Sequence, residues 1–536
     1  MIAEPSTYQQ AMASEEAEMW QEAIDNEMKA LDKNRTYNVV DRPSNRTVVK
    51  SKWVFRVKPK ADGTVERLKA RLVGKGFSQR PGHDYEDTFA PVTRYESLRL
   101  LLAIAAHNSW NPQQMDVNSA FLYGVLKEEV YMELPEGYRQ PGKVARLLKC
   151  IYGLKQSARE WYECLAHSLH TNGFTTANFD PCVFIHTTEK VFVSVYVDDI
   201  MIFGAQSSFL DSVRTSLKSD FECKDLGDAK YILGLEIIRT QQGLLLSQHS
   251  YIEKILAKYK MSDCRPLSAP IDPNTVIRTG DPEEVIDNIT EYQSLVGSIT
   301  YAVIGTRPDL AHTIALLSQY SAFPTEDHMK TAKRVLRYLK RTSNWCLLYP
   351  KQSGSDTFGS NSFGVVTHTD SSYASCPDTR KSFSGYVVRL GNATISWRSK
   401  KQACVATSTT EAEYMAMSLA ARQLMWIKGA IIELGYNLDY HLFGDNNGAL
   451  ELTKNPRISD RSKHIDVHYH YTREKLQNNE FFLHYIPTAD NLADILTKAL
   501  PATTHNDLSK RLGCVERGEV LKGKSPTNPR HTTTAD

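Results

Sequence analysis

A chain of 536 residues is too long for one compact core, so we expect roughly two to four domains. Hydrophobic residues make up 41% and charged residues 24%, which is ordinary for a soluble globular protein. The formal net charge is only +2, so any nucleic-acid site must lie in local basic patches rather than in the overall balance.

Several protein classes are disfavoured at once. No apolar run approaches the roughly 18 residues that a membrane-spanning helix needs, so we expect no membrane partner. The first ten residues lack the basic and apolar regions of a secretion signal, and we expect a protein that is not secreted. The nine cysteines lie far apart without a CxxC pair, which argues for reduced thiols and against a zinc knuckle or a disulfide scaffold.

The first elements are a helix and a basic hairpin. Apolar residues at helical spacing predict a helix over 15–33. Alternating residues at 52–57 and 64–73, with a turn at 61–63, predict a hairpin. Between positions 52 and 80 there are nine basic residues against two acids, which suits an anionic ligand. The alternative is a plain solvated hairpin.

The middle of the chain alternates helices with apolar strands. We predict a helix at 97–106, strands at 191–197, 200–203 and 230–238, and a short helix at 251–259. Residues 266–282 have the Pro, Asp and Gly spacing of a linker. A helical region at 292–349 follows, and 350–362 is the clearest domain boundary.

The last part reads as a mixed α/β domain. The predicted strands are 365–369, 385–390, 394–397, 441–444 and 481–486, and the predicted helices are 410–434, 467–476 and 491–498. The polar, Thr- and Pro-rich composition after 501 predicts a disordered tail.

Two adjacent aspartates, Asp198 and Asp199, stand at the junction of two apolar strands. Carboxylates this close repel one another unless a cation lies between them, and a hard divalent ion such as Mg²⁺ prefers oxygen ligands. Asp116, at the end of another predicted strand, offers a third carboxylate. Such a set suits a two-metal displacement at phosphorus, although an Asp-Asp pair is also common in ordinary hairpin turns.

Seven segments in order carry a family resemblance: RLKARLVGKGFSQRPG, DTFAPVTR, QMDVNSAFLYG, EEVYMELPEG, LKCIYGLKQSAREWY, FDPCVFI and VYVDDIMIFG. Together they resemble the reverse transcriptase of copia-type LTR retrotransposons, from about residue 19 to about residue 248. The resemblance implies a right-hand polymerase with fingers, palm and thumb. It places the YxDD motif on Tyr196–Asp199 and the remaining metal-binding aspartate on Asp116.

The same resemblance implies contacts to the nucleotide. It puts the basic hairpin in the fingers, with Lys69 and Arg71 meeting the triphosphate, and Phe121 beneath the sugar. Tyr152 and Gly153 match the segment that packs against nucleotide and template. Without the resemblance, Phe121 would be read as a palm core residue.

Leu233 and Gly234 look like the primer grip of the family, with a plain strand glycine as the alternative. Ala158 stands where the family usually has Pro, which puts the rigidity of that loop in doubt.

A second set of carboxylates follows in the last domain. The segments HTDSSYA, TSTTEAEYMA, FGDNNGAL and TADNLADILTK, with TRKSFSGYVV and ISWRSKKQ, resemble the copia-type ribonuclease H over 365–500. The resemblance implies that Asp370, Glu413, Asp445 and Asp494 converge on two Mg²⁺ ions, as the three polymerase aspartates would, with Mn²⁺ as a substitute. Alone, Asp445 would be read as a helix N-cap and Asp494 as a solvated residue.

Two basic or histidine-containing segments remain. The region 292–349 resembles the family's connection between polymerase and nuclease, and its Lys333, Arg334 and Arg337 would track the phosphates of a hybrid duplex. A solvated helix face is the alternative. His464 and His468 are four residues apart, but they lack a third ligand, so a packed or substrate-facing loop is favoured over zinc.

The predicted fold is an α+β multidomain chain: a right-hand polymerase over 1–265, a linker and helical connection over 266–349, a ribonuclease H-like domain over 363–500 and a disordered tail over 501–536. The predicted function is RNA-directed DNA synthesis with cleavage of the RNA in the hybrid. The alternative is an inactive or host-adopted transposon relic that binds nucleic acid.

The implied partners are an RNA template, a DNA primer, the RNA–DNA hybrid and deoxynucleoside triphosphates, together with the integrase and capsid of the same element. DSG or DTG protease motifs, a CCHC knuckle and an HHCC module are not found, so we expect the polymerase portion of a longer polyprotein, either processed or truncated. The expected location is the cytoplasm, within virus-like particles if the element is active, with the nucleus as the alternative.

Overall fold

The structure is a computed structural model that describes residues 2–59, 65–351, 364–454 and 466–523. The predicted turn at 61–63, the predicted boundary beyond residue 351, His464 and the end of the tail lie outside these ranges, as does the side chain of His468. Within the described ranges, no helix combines the length and the apolar character needed to cross a membrane.

The helices are α1 (Tyr8–Met12), α2 (Ala17–Lys33), α3 (Tyr95–His107), α4 (Ser157–Thr171), α5 (Ser208–Asp220), α6 (His249–Lys258), α7 (Ile289–Gly305), α8 (Ala311–Leu317), α9 (Glu326–Arg341), α10 (Thr409–Glu433), α11 (Asn447–Lys454), α12 (Asp466–Gln477), α13 (Ala502–Arg511) and α14 (Arg517–Leu521).

The strands are β1 (Tyr37–Asp41), β2 (Val48–Val49), β3 (Ser51–Pro59), β4 (Val65–Gly74), β5 (Gln113–Val117), β6 (Val125–Met132), β7 (Lys143–Lys149), β8 (Thr175–Thr176), β9 (Val183–His186), β10 (Val191–Tyr196), β11 (Asp199–Phe203), β12 (Cys223–Asp228), β13 (Tyr231–Ile232), β14 (Leu235–Thr240), β15 (Gly243–Ser247), β16 (Trp345–Pro350), β17 (Val365–Ser372), β18 (Phe383–Leu390), β19 (Ala393–Lys401), β20 (Tyr440–Gly444), β21 (Phe482–Tyr485) and β22 (Cys514–Glu516).

The chain divides into two compact units that are mixed α/β in content. The first comprises Met1–Thr93, Gln113–Ile202 and Gln206–Gly227, and the second comprises Arg94–Pro112, Phe203–Ala205 and Asp228–Asp536. Helix α3 therefore belongs to the second unit, although the strands before and after it belong to the first.

The first unit contains a six-stranded sheet in the order β12-β5-β11-β10-β9-β8. Strands β10 and β11 are nearly all apolar because both of their faces are buried. A four-stranded sheet in the order β1-β7-β6-β2 and the β3–β4 hairpin complete the unit. Helix α2 carries the buried residues Trp20, Ile24 and Leu31 at helical spacing, and the Trp20 and Phe55 rings meet edge to face at 5.2 Å.

The second unit contains a five-stranded sheet in the order β13-β14-β15-β16-β22. The strand predicted over 230–238 is wrong as one piece, because Leu233 and Gly234 have positive φ angles of 50° and 73° and form a turn between β13 and β14. Positive φ angles are incompatible with an extended strand and only glycine adopts them readily, so two consecutive residues with positive φ end the strand.

The predicted disordered tail is also corrected. Residues 501–521 form α13, β22 and α14, and β22 pairs with β16 through Cys514 and Val515. Leu508, Leu512 and Val520 are buried, so a few apolar side chains anchor a mostly polar segment. The sequence-based prediction overlooked these residues because the segment as a whole is polar.

The other sheet of the second unit has the order β19-β18-β17-β20-β21. Strands β17, β18 and β19 are antiparallel neighbours, whereas β20 and β21 run parallel to β17. Helix α10 packs on β17 and β18. The helix predicted at 491–498 is instead a short 3-10 helix, Leu492–Leu496, whose residues are all buried.

Two candidate carboxylate sites

The first site lies at the junction of β5, β10 and β11. Asp199 is the register partner of Asp116 across the antiparallel β5–β11 pair, and the Val117 N–H donates to the Asp198 carbonyl at 2.9 Å. Val197 takes a positive φ of 56° in the turn, and its carbonyl accepts a hydrogen bond from Trp161 Nε1 at 2.6 Å. The turn is thereby held so that three carboxylates share one end of the sheet.

The electrostatics of this site favour a cation. The pKa of Asp199 is raised to about 6, mainly by burial and also by the charges of Asp198 and Asp116, while a hydrogen bond from Gln114 Nε2 at 3.2 Å acts in the opposite direction. A positive ion would remove this conflict. The three carboxylates are half-buried, and their oxygens do not all lie within 4.8 Å of one another.

Beside the first site, three side chains contact one another in a row. The Phe121 and Tyr152 rings meet edge to face at 4.8 Å, and the Arg71 guanidinium lies 4.4 Å from the centre of the Tyr152 ring. Phe121 is half-buried and packs against both apolar clusters of the first unit. The structure thus brings three of the predicted nucleotide contacts, Arg71, Phe121 and Tyr152, into one continuous row of contacts.

A basic cleft of about 390 Å³ opens on the β3–β4 hairpin. Its lining is Val54, Arg56, Val57, Lys58, Lys69 and Arg71. Burial and the neighbouring Arg71 lower the pKa of Lys69. The protein itself therefore compensates these positive charges poorly, and a bound anion would be attracted to them.

Glycines bring this hairpin to the Tyr152 segment. A Cβ on Gly153, whose φ is 89°, would lie 2.2 Å from the Gly74 carbonyl oxygen, and a Cβ on Gly76 would lie 2.1 Å from the Gly153 carbonyl oxygen. The Gly74 N–H donates to the Tyr152 carbonyl at 2.8 Å. The sequence-based reasoning missed Gly74 and Gly76, although two glycines separated by one residue could have indicated a close approach of two backbone segments.

The predicted primer-grip residues form a turn in the second unit. The Leu233 carbonyl accepts hydrogen bonds from Tyr95 Oη at 3.1 Å and from Tyr301 Oη at 2.6 Å. A Cβ on Gly234 would lie 2.1 Å from Tyr301 Oη. Gly234 is therefore a turn glycine in close contact with a tyrosine, which differs from the plain strand glycine considered as the alternative.

The second site is a convergence of acids on the β17 sheet. Asp370 lies in β17, Asp445 directly follows β20, and Asp494 lies in the 3-10 helix. One carboxylate oxygen from each lies within 4.8 Å of the other two. Glu413 of α10 is outside this trio, but it accepts a hydrogen bond from the Ser371 N–H, and the charges of Asp370 and Asp445 act on it.

Burial and mutual repulsion also oppose ionisation of the acids at the second site. The pKa of Asp370 is raised to about 7, mainly by burial and also by the charges of Asp494 and Asp445. Lys498, whose Nζ is 2.9 Å from Asp494 Oδ2, lowers it. Asp494 Oδ1 is buried without a hydrogen-bond donor, and Thr497 Oγ1 donates to Asp370. Oxygen donors with an unused lone pair fit a hard divalent cation.

A glycine permits this convergence. Gly385 is the register partner of Asp370, and a Cβ there would lie 2.7 Å from Thr497 Cγ2 and 2.8 Å from Leu496 Cβ. Asn491 Nδ2 donates to the Thr369 carbonyl at 3.0 Å, which fixes the start of the 3-10 helix. The sequence-based reasoning did not single out Gly385, Thr497 or Lys498. The contacts of Gly385 and the hydrogen bond from Thr497 to Asp370 join distant segments, whereas Lys498 pairs with Asp494 four residues before it.

One basic residue of α9 makes a hydrogen bond within the protein. Arg337 Nε donates to the Arg265 carbonyl at 2.8 Å, which ties the preceding linker to the helix. Lys333, Arg334 and Arg337 are all half-buried, and Arg334 Nε is buried without an acceptor. The structure places all three on one helix, and among the described residues none of them has a hydrogen bond or ion pair with the acids of the second site.

Comparison with known proteins gives a domain assignment. Residues 34–273 match the family model described as reverse transcriptase (RNA-dependent DNA polymerase). The Pol polyprotein of transposon TNT 1-94 from Nicotiana tabacum is 37% identical over 93% of this chain, and that of transposon RE1 from Arabidopsis thaliana is 38% identical over 95%. The Gag-Pol polyprotein of transposon Ty1-LR2 from Saccharomyces cerevisiae is 29% identical over 92%.

The chain spans only 38%, 34% and 29% of the lengths of these three relatives. Among solved structures, a foamy viral protease-reverse transcriptase in complex with RNA/DNA hybrid matches 90% of this chain and 55% of its own, at 14% identity and a TM-score of 0.47. Residues 34–273 therefore match the reverse transcriptase family model, in a chain that is similar along more than nine-tenths of its length to copia-type Pol polyproteins.

Proposed function

We propose that this chain copies retrotransposon RNA into DNA and then cleaves the RNA of the resulting hybrid. The observation that carries the first activity is the pairing of Asp116 with Asp199, beside Asp198, within residues that match the reverse transcriptase family. Carboxylates arranged at a strand junction suit metal-dependent attack of a primer hydroxyl on a nucleoside triphosphate.

The residues around this site have distinct tasks in the proposal. Asp116, Asp198 and Asp199 would hold two Mg²⁺ ions, or Mn²⁺ as a substitute, which stabilise the attacking and leaving oxygens. Lys69 and Arg71 line a basic cleft that suits the triphosphate of a deoxynucleotide.

The subdomains follow from the same assignment. The β3–β4 hairpin would be part of the fingers, and the six-stranded sheet with its acids would be the palm. The thumb and the connection would lie in the second unit, before β17. The Leu233-Gly234 turn would contact the primer.

The nuclease assignment rests on the second group of acids. A central strand that carries Asp370, with antiparallel strands on one side and parallel strands on the other, supports a ribonuclease H-like domain. Asp370, Glu413, Asp445 and Asp494 would hold two Mg²⁺ ions that activate water against an RNA phosphate. Lys498 and Thr497 would orient the carboxylates, since both donate hydrogen bonds to them.

The proposed partners are an RNA template, a DNA primer and their hybrid. Contacts should be mostly to the backbone, because a copying enzyme must accept any sequence. We also propose the integrase and capsid of the same element as partners, since the chain is similar to the Gag-Pol polyprotein of a transposon.

Primer extension tests the proposal most directly. A labelled DNA primer on an RNA template, with deoxynucleotides and Mg²⁺, should be extended, and a chelator or Asp198→Asn should abolish extension. Binding of the primer–template without any extension would instead support a relic that only binds nucleic acid.

A further inference from the structure

The turn proposed to contact the primer is held by two tyrosines from different helices. The Leu233 carbonyl accepts hydrogen bonds from Tyr95 and from Tyr301, and Gly234 leaves no room for a side chain against Tyr301. Tyr95 is the first residue of α3, and Tyr301 lies near the end of α7. The position of the turn is therefore set by α3 and α7 together.

One helical turn after Tyr95, Arg99 connects α3 to two other elements. Its side chain is 2% exposed. Nε donates to the Ile395 carbonyl in β19 at 2.8 Å, and Nη1 donates to the Ile304 carbonyl and, at 3.4 Å, to the Gly305 carbonyl. These last two acceptors are at the C-terminal end of α7, where helix carbonyls lack partners and the dipole favours a cation.

A tryptophan of the nuclease sheet closes the same junction. The Arg99 guanidinium lies 3.9 Å from the centre of the Trp397 ring, and Trp397 Nε1 donates to the Val303 carbonyl at 3.1 Å. Arg94, which precedes α3, lies 5.6 Å from the ring of Trp426 on α10, the helix that carries Glu413. Strand β19 and helix α10 both belong to the domain with the second acid site.

The buried charge of Arg99 makes the positions of α7 and β19 depend on each other. Its nearest carboxylate, Glu96, is 3.9 Å from Nη2 and 35% exposed, so backbone carbonyls and the Trp397 face compensate most of the buried charge. A buried cation is tolerated only while its acceptors stay in place. Movement of either α7 or β19 would leave the guanidinium without them.

Building on the proposed function, we infer that Arg99 is a positioning residue that holds the primer-contacting turn and the nuclease sheet in a fixed relative position. This fixed position would determine where the RNA is cut relative to the primer terminus. Successive nucleotides are roughly 3.4 Å apart along a strand, so a loosening of about 3–7 Å moves the cut by about one or two nucleotides.

The test uses the full chain and variants that preserve volume. Tyr95→Phe with Tyr301→Phe removes both hydrogen bonds to Leu233, and Arg99→Lys keeps the charge but loses the forked donor. Tyr292→Phe is the matched control, because its hydroxyl also donates to a buried carbonyl, that of Leu317, from the same helix α7. All are compared on an RNA–DNA hybrid with a recessed primer, without deoxynucleotides, and the positions of the first cuts are mapped.

In the two test variants we expect the cuts to spread over about two more nucleotides, with the total rate of cleavage within about threefold of wild type and Tyr292→Phe unchanged. Cut positions that match wild type in both test variants would overturn the inference.

A second measurement does not depend on activity. In Arg99→Lys, backbone amides at 231–235 should exchange with deuterium about three- to tenfold faster, although Arg99 has no hydrogen bond to that turn. Unchanged exchange there would also overturn the inference. If the wild-type chain neither extends nor cleaves, the proposed function fails, and the exchange result still decides whether the turn and the sheet form one body.

Discussion

Phe121 lies between the two apolar clusters of the first unit with one edge against Tyr152. A half-buried ring at this position can exclude a ribose 2′-hydroxyl by shape, since phenylalanine offers no hydroxyl to bind the sugar. We predict that Phe121→Val admits ribonucleotides with a loss of discrimination on the order of 100-fold, or about 2.7 kcal/mol. Steady-state incorporation of matched ribo- and deoxynucleotides opposite one template base measures the ratio.

The control for this prediction is Phe209→Val, which removes another half-buried ring that packs against one of the same clusters. It should lower stability without changing sugar choice. If Phe121 were only a core residue, its truncation would cost about 3–5 kcal/mol and depress both substrates together. An unchanged ratio would rule out the sugar-selecting role.

Asp370 gives the second residue-scale prediction. Its pKa in the folded protein is raised from 3.8 to about 7, so the protonated carboxyl is favoured by folding. Its contribution to stability is complete below the unfolded pKa and is lost as the pH rises through about 7. Without divalent ions, the melting temperature should therefore fall between pH 4 and pH 7.

Added Mg²⁺ should reverse this loss most strongly above pH 7, where the carboxylates are ionised and a cation relieves their repulsion. Thermal melts across this range, with and without Mg²⁺, measure both effects. Asp370→Asn should flatten the pH dependence. A metal-free melting temperature that rises steadily from pH 4 to pH 7 would contradict the assignment.

Gly385 carries a prediction at the scale of an element, the 3-10 helix Leu492–Leu496. Gly385→Ala places a methyl group against Leu496 and Thr497, which must shift that helix and with it Asp494. Cleavage of hybrid RNA should fall at least about tenfold while primer extension is kept. Gly429→Ala is the matched control, because a Cβ there would meet nothing within 4 Å beyond its chain neighbours and the nearby backbone of its own helix. Within α10 it should be neutral or stabilise by about 0.5–1 kcal/mol.

Helix α9 carries the second prediction at this scale. Replacing Lys333, Arg334 and Arg337 with Ala should reduce the slope of log affinity against log salt for a primer–template by about one or two, because fewer counterions are released. Lys330→Ala is the control, since Lys330 already pairs with Asp327 at 3.0 Å on the same helix. An unchanged slope in the triple variant would assign α9 to an ordinary solvated face.

Elements with strong periodicity could be predicted from sequence, and α2, α3 and α10 begin and end within two residues of their expected positions. The failures share a cause. The break at Leu233-Gly234, the 3-10 helix in place of 491–498 and the ordered segment after 501 are all set by contacts with distant residues, such as Tyr301, Gly385 and β16. Local propensity does not contain that information.

The acids show the same division. The sequence motifs named seven acids as candidate metal ligands, and the structure brings three of them, Asp370, Asp445 and Asp494, together within ligand distance. Gly385 acts through Thr497 and Leu496 in a distant segment, so a single sequence gives no signal for it, whereas the Gly74-Lys75-Gly76 sequence and the i,i+4 spacing of Asp494 and Lys498 were local signals.

At the scale of the whole molecule, the two acid groups lie in different compact units and share no residue. We predict that Asp198→Asn abolishes DNA synthesis and leaves cleavage of hybrid RNA within about threefold of wild type, while Glu413→Gln has the opposite effect. Extension and cleavage measured on the same preparations decide this. Parallel loss of both activities in a well-folded Asp198→Asn protein would contradict two independent sites.

Helix α3 has a consequence for how such chains can be divided. Its residues from Ser97 to His107 are all buried, and it packs against β15, β16 and β19. A shortened chain that ends at residue 265 would lack β16 and β19 and would expose this apolar helix, a liability for aggregation. Loss or exchange of the C-terminal domain by recombination should therefore be tolerated only when α3 changes with it, so the two halves are expected to be inherited together.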